Sequence, residues 1–251
     1  MGTFKWILFQ SHWLLGISAG LVLALIGVTG GLLSFENETL RLLNPGVMRV
    51  EAKAQDMLSP PALLQSIAQA QPTRRIGSLS TSTVPGRAAR VGFLPPESKE
   101  SESVVPGRRA RMQVHFVNPY NGELLGTEDD LRGHDFLHLM EDLHRRLAAG
   151  DTGKAITGAC TVVLIWLALS GLYLRWPRRA LDWRTWLKVR WRLRGRPFLY
   201  SLHAVVGTWA LALYLLAALT GLYWSYEPYR DAVQRRSGAS PVARPAPPTG
   251  V

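Results

Sequence analysis

Cysteine is almost missing from this chain: its 251 residues contain one, Cys160. A disulfide framework within the chain is therefore excluded, and so is an iron–sulfur or zinc site built from several thiolates. Acidic residues are few as well, 18 against 29 Lys and Arg, for a formal net charge of +11. Charge of either sign disappears over three stretches, roughly 13–35, 155–174 and 204–226. A helix rises about 1.5 Å per residue, so each stretch can cross a hydrocarbon layer about 30 Å thick. Lys5 precedes the first stretch as it would in a signal peptide. Its apolar run is much longer than a signal core, however, and Ser34-Phe-Glu-Asn-Glu offers no small-residue cleavage site, so a retained transmembrane helix is expected.

What charge there is lies unevenly. Between Glu36 and Asp135 there are 12 basic and 12 acidic residues, whereas Arg175 to Arg196 carries nine basic residues against Asp182 alone. A short basic loop between two spans marks the cytoplasmic side. It is read as an orientation signal rather than a nucleic-acid surface, and no nucleic-acid partner is expected. Trp176, Trp183, Trp186 and Trp191 interleave with those arginines, as in a helix lying among lipid headgroups. The predicted order is a cytoplasmic start and first span over 1–36, then an extracytoplasmic domain over 37–133. An amphipathic helix and second span follow over 134–176, a basic cytoplasmic loop over 177–200 and a third span over 201–227. Residues 228–251 form an extracytoplasmic tail, read as disordered from Ser237 or as a truncated second half.

The extracytoplasmic segment has α+β patterning. Leu63, Leu64, Ile67 and Ala68 recur at helical spacing within Pro60–Ala70. Arg75–Ser80, Ala89–Leu94 and Arg111–Val117 read as strands, and Asn118-Pro-Tyr-Asn-Gly122 as a turn into Glu123-Leu-Leu. Pro95–Gly107, rich in Pro, Glu and Ser, reads as a mobile loop. His115 falls in an alternating strand pattern and is expected to be a packed or surface residue rather than a ligand.

A long pattern occurs twice. His12 is followed by Gly16, Ala19, Thr29-Gly30, Ser34-Phe35 and Glu36; His203 is followed at identical offsets by Gly207, Ala210, Thr220-Gly221, Ser225-Tyr226 and Glu227. Each copy runs through a spanning segment, so one polar residue is set twice at one membrane depth, as a two-sided ligand site requires. The duplication also predicts a fourth span beyond the third, and the chain is read as truncated or as a shortened form.

Val114-x-Phe-Val-Asn-Pro-Tyr-Asn-Gly-Glu-Leu-Leu-Gly126, after a helix and two or three strands, resembles a PepSY domain. Leu143-His-Arg-Arg-Leu-Ala-Ala-Gly, Gly153 to Gly158 and Leu169-Ser-Gly-Leu-Tyr-Leu-Arg-Trp-Pro177 resemble the PepSY-associated transmembrane family. The resemblance spans most of residues 10–230. It implies a membrane all-α bundle with a small extracytoplasmic α+β domain, in a family that includes haem-containing reductases of ferric siderophores in the bacterial inner membrane. The activity so implied is that of an oxidoreductase, with a periplasmic domain and a ferric siderophore as substrate.

Within that frame His12 and His203 are the expected axial ligands of one haem b. Gly16 and Gly207, four residues on and on the same helix face, remove the side chain that would meet a flat macrocycle. Gly30 and Gly221, 18 residues beyond their histidines, lie about 27 Å further along. They are read as space for a second, outer haem or as close helix packing. His144 is the first candidate ligand there and His138 the second. His134 and His138, with Glu141, also share the spacing of a metal site, and helical amphipathicity explains that spacing equally well. Arg145 and Arg146 are placed to attract an anionic chelate or haem propionates, or are simply solvated at the interface. Two other readings stay open: a non-enzymatic membrane protein whose domain binds a partner or restrains a peptidase, and a quinone-linked b-type cytochrome subunit. The bilayer is a partner in every case, and the electron donor, cytoplasmic or membrane-bound, is unspecified.

Overall fold

A computed structural model describes residues 2–52, 56–95, 112–177 and 183–238. The chain divides into two compact units, Met1–Gly30 with Glu141–Val251, and Gly31–Met140.

The first unit holds three helices long and apolar enough to cross a membrane: α1 (Thr3–Leu33), α6 (Gly150–Arg175) and α8 (Arg196–Ser225). The chain is thus a multi-pass membrane protein. On α1, Leu14, Ile17, Leu21, Leu25 and Val28 form an exposed stripe at three- and four-residue spacing. In water such a stripe would be unfavourable; against lipid it is the expected outer face. Both repeat-bearing helices begin upstream of the charge-free stretches, at Thr3 and Arg196. Helical hydrogen bonding continues past the last uncharged residue, and Pro197 at the start of α8 suits a first turn whose N–H groups have no partner. His12 and His203 consequently lie inside their helices, about 14 Å and 10 Å from the first residue.

Helix α5 (His134–Arg146) turns sharply into α6. Leu147 and Ala148 both take positive φ, 52° and 53°, followed by Gly150 at 57°. The corner is tied by Ala149 N–H to the Arg146 carbonyl at 2.9 Å and by the Thr157 hydroxyl to the Arg145 carbonyl at 3.0 Å. Gly153 is required here, because a Cβ would collide with the Arg146 carbonyl oxygen. At the other end of α6, Arg175 fastens the short helix α7 (Trp183–Leu187) and α8 together. It donates to the Ala204 carbonyl and Thr208 hydroxyl, and to the carbonyls of Thr185 (2.5 Å) and Trp186 (3.0 Å). The spans therefore pack as a bundle, with α6 against α8.

After Tyr226 the chain re-enters a helix, α9 (Glu227–Ser237), where the sequence suggested a tail. Glu227 in its first turn and Arg235 and Arg236 in its last complement the helix dipole. The expectation of disorder falls mostly on residues 239–251, outside the described residues, as does most of the Pro95–Gly107 loop.

The second unit is a four-stranded antiparallel sheet between helices. Strands β1 (Ile76–Ser80), β2 (Ala89–Phe93), β3 (Gln113–Val117) and β4 (Leu124–Thr127) pair in sequence order. The fourth was not anticipated as a strand. Because side chains alternate across a strand, Val117 and Phe116 point to opposite faces. Val117 joins Ala89, Val91 and Phe93 against Leu63 and Ile67 of α4 (Pro60–Ala70). Phe116 joins Leu40 of α2 (Glu36–Leu43), Met48 of α3 (Pro45–Met48), Leu131, and Leu137 of α5. Buried Asn44 closes the second layer, donating to the Leu40 carbonyl at 2.9 Å and the Arg132 carbonyl at 3.0 Å. The predicted turn forms with Gly122 at φ 78° and its N–H on the Asn118 carbonyl at 2.8 Å.

Candidate functional site

In the bundle, His12 of α1 and His203 of α8 face one another. Their ring centroids are 6.4 Å apart and their planes cross at 81°. His12 is half-buried and His203 exposed. The Ser170 hydroxyl lies 2.8 Å from Nδ1 of His12 and itself points at the Leu167 carbonyl at 3.3 Å. With the hydroxyl proton so directed, Nδ1–H of His12 donates to Ser170 and Nε2 keeps its lone pair. Gly171, next in the chain, lets the ring lie against α6: a Cβ there would stand 3.1 Å from Cε1 of His12. His203 is held through its neighbours, since the Ala204 carbonyl and Thr208 hydroxyl both accept from Arg175.

A second imidazole is seated the same way near the opposite end of α1. Nδ1 of His144 is 2.9 Å from the Ile26 carbonyl and 3.4 Å from the Thr29 hydroxyl. A carbonyl only accepts, so Nδ1–H donates and Nε2 is again left with its lone pair. A Cβ on Gly30 would come within 2.8 Å of Cε1 of His144. The space at Gly30 is therefore taken by the imidazole itself, an instance of close packing between helices. Ser170-Gly171 and Thr29-Gly30 are thus equivalent devices: the hydroxyl approaches a ring nitrogen and the missing side chain admits the ring. The pattern recurs on α8 as Thr220-Gly221, where a Cβ on Gly221 would meet only the Thr161 methyl, at 3.7 Å.

The remaining residues sort as follows. A Cβ on Gly16 would touch only Leu167, at 4.0 Å, and one on Gly207 would meet nothing, so open space lies one turn beyond each facing histidine. His138 is exposed on an unbroken α5, which turns it about 120° away from His144. His115 is 8% exposed and packs edge-on to Phe93 at 5.2 Å, accepting at Nε2 from Arg74 at 3.0 Å. It is a packed residue, as its strand position suggested. Arg145 pairs with Glu141 at 2.6 Å. Ser170, Gly171, Arg175 and the Ile26 carbonyl were not singled out from sequence; the repetition of a hydroxyl residue before glycine on all three spans was the signal for two of them.

Haem can be tested against this donor set. Among the described residues no group of three or more His, Cys, Asp or Glu could enclose a bare metal ion. Two facing imidazoles, one of them held with Nε2 free, instead suit a metal that arrives with further donors of its own. Two metal–imidazole bonds of about 2 Å each, with the half-widths of the rings, span about 6 Å, close to the spacing seen. The residues fit the group.

Three lipid-facing spans, a compact α+β unit and histidines presented between helices define a membrane protein of the PepSY type. The chain belongs to the PepSY-associated TM region family, which it matches over residues 9–251. It is also similar to an uncharacterized protein of Pseudomonas aeruginosa, 35% identical over 85 residues, 34% of this chain and 21% of that protein. The match therefore spans about a fifth of that relative's length.

Proposed function

We propose that this chain is a haem b protein of the bacterial inner membrane that carries electrons to a ferric siderophore on the periplasmic side. The observation that supports it is the facing His12–His203 pair, at 6.4 Å between ring centroids. Haem bound there would supply a one-electron carrier whose potential the surrounding dielectric sets. The protein's own part is orientation. Ser170 fixes the ring and tautomer of His12, Gly171 clears its approach to α6, and Arg175 anchors α8 at Ala204 and Thr208, in the turns that follow His203. Reduction of ferric to ferrous iron weakens hard-oxygen chelation and frees the metal, so the reaction calls for electron delivery rather than acid–base groups. The neutral balance of residues 36–135 and the basic loop support a periplasmic position for the α+β unit. His144, with Nε2 free, is the ligand offered to an outer haem.

Absorbance decides it. Protein purified after expression with ample haem should show reduced b-type Soret and α bands, and His12→Ala and His203→Ala should each lose the share of them that belongs to the inner haem. A folded but colourless wild-type protein rejects the proposal. If the haem is present, reduction assays with ferric siderophores against quinones then decide the acceptor.

A further inference from the structure

Three histidines remain that the proposed haem ligation does not use, none of them on a membrane-spanning helix; His115 is engaged by Arg74, which leaves His134 and His138. His134 and His138 sit four residues apart in the first turns of α5, with ring centroids 6.2 Å apart and planes tilted 44°. Nδ1 of His134 is 3.2 Å from the Glu128 carbonyl. That carbonyl only accepts, so Nδ1–H is the donor and Nε2 carries the lone pair, the tautomer and backbone anchor typical of a metal-bound imidazole. His138 is exposed, so its ring can rotate toward His134 without disturbing packing. Asp129, Asp130 and Asp135, all exposed, surround the pair in sequence and favour a cation over an anion.

We propose that His134 and His138 form a surface site for a borderline divalent transition-metal ion, bound through the two imidazoles. Imidazole donors select Cu²⁺, Ni²⁺, Zn²⁺ or Fe²⁺ over Mg²⁺ and Ca²⁺, which prefer oxygen. With no third His, Cys, Asp or Glu close enough among the described residues, the other coordination positions belong to water or to donors that the metal brings with it. Such a site is open, exchanges its ion readily and binds more weakly than a closed structural site. It stands whether or not the bundle binds haem, because it shares no residue with the His12–His203 pair.

The test is calorimetric titration of the full chain in detergent with Ni²⁺ alone, repeated with Mg²⁺. Wild-type protein should bind Ni²⁺, and either His138→Ala or His134→Ala should lose one equivalent or weaken it by about tenfold or more. His115→Ala, which alters a histidine already engaged by Arg74, should leave that equivalent in place. Mg²⁺ should not bind at the pair. Because His134 also holds the loop at Glu128, a variant-free measurement accompanies it. Ni²⁺ should protect His138 from carbethoxylation in wild-type protein, read by peptide mass spectrometry. Unchanged Ni²⁺ binding in His138→Ala, or equal labelling of His138 with and without Ni²⁺, overturns the proposal.

Discussion

The hydroxyl of Ser170 lies 2.8 Å from Nδ1 of His12, across 158 positions of sequence. Gly171 completes the contact by giving the ring room against α6. The same two-residue device, Thr29-Gly30, receives His144 near the opposite end of α1. The Nδ1 proton is engaged in both places, by the Ser170 hydroxyl for His12 and by the Ile26 carbonyl for His144, so each ring is held through Nδ1 and offers Nε2 as its acceptor.

Removing the Ser170 hydroxyl is expected to separate folding from ligand binding. Ser170 is 3% exposed, so Ser170→Ala leaves Nδ1–H of His12 without a partner, at about 1–3 kcal/mol. Affinity for the proposed haem should fall by about tenfold to a hundredfold, since the proton on Nδ1 would no longer be fixed. Ser170→Thr, which keeps the hydroxyl, should retain most of the affinity. Haem titration of the apoprotein measures both, and equal affinity in Ser170→Ala and wild type would show that the contact does not hold the ring.

Gly30 and Gly31 are adjacent glycines with opposite surroundings. A Cβ on Gly30 would stand 2.8 Å from His144 Cε1, while one on Gly31 would meet nothing within 4 Å. Gly30→Ala should therefore destabilise the protein by about 1–3 kcal/mol through overpacking, and Gly31→Ala should be neutral or slightly stabilising. Thermal unfolding in detergent compares the two directly.

Arg175 should not tolerate lysine. Its two terminal nitrogens reach four acceptors, two on α7 and two on α8, a fork that a single ammonium cannot reproduce. Arg175→Lys is expected to cost about 2–3 kcal/mol, since charge-assisted bonds are individually worth about 1.5–3 kcal/mol and some would survive. The loop over residues 183–195 should become more sensitive to protease as α7 detaches. Unchanged cleavage kinetics would show that the loop is held by other contacts, such as Trp176 against Trp186 at 5.7 Å.

Much of this was legible because local chemistry decided it. Helix α4 keeps the bounds Pro60–Ala70 that its apolar spacing predicted, and the three spans follow from the absence of charge. Helix ends were less legible: the uncharged windows mark where lipid must be met, whereas α1 runs on through Phe4 to Ser11, which lie outside that window. Strand β4 is four residues of partly buried Leu, Gly and Thr whose pairing with β3 is set by the turn, not by its own pattern. Helix α9 is polar and has no buried residue, so no periodicity announced it. Within the site, the repeated histidines were visible from spacing alone. Their seats were not, because a glycine's reason is the ring it faces, and that ring comes from another helix.

The buried imidazole of the sheet unit makes an acid-sensitivity prediction. Burial first, then the Arg74 guanidinium, holds the His115 pKa below its ordinary value of 6.5, against a smaller upward pull from Asp130 and Asp129. The folded state therefore binds the proton less readily than the unfolded chain. Stability from this group is full above pH 6.5 and is lost as pH falls through the lowered folded value. Protonation would also convert the Nε2 acceptor into a donor facing Arg74 Nη1 at 3.0 Å, replacing a hydrogen bond with repulsion. Amide hydrogen exchange over residues 89–93 and 113–117, after division by intrinsic rates, should show protection falling between pH 7 and pH 5. In His115→Gln the amide oxygen can accept from Arg74 at every pH, so the fall should be smaller there. An identical pH profile in the variant would assign the acid sensitivity to the carboxylates, of which Glu128, paired with Arg90, is the first candidate.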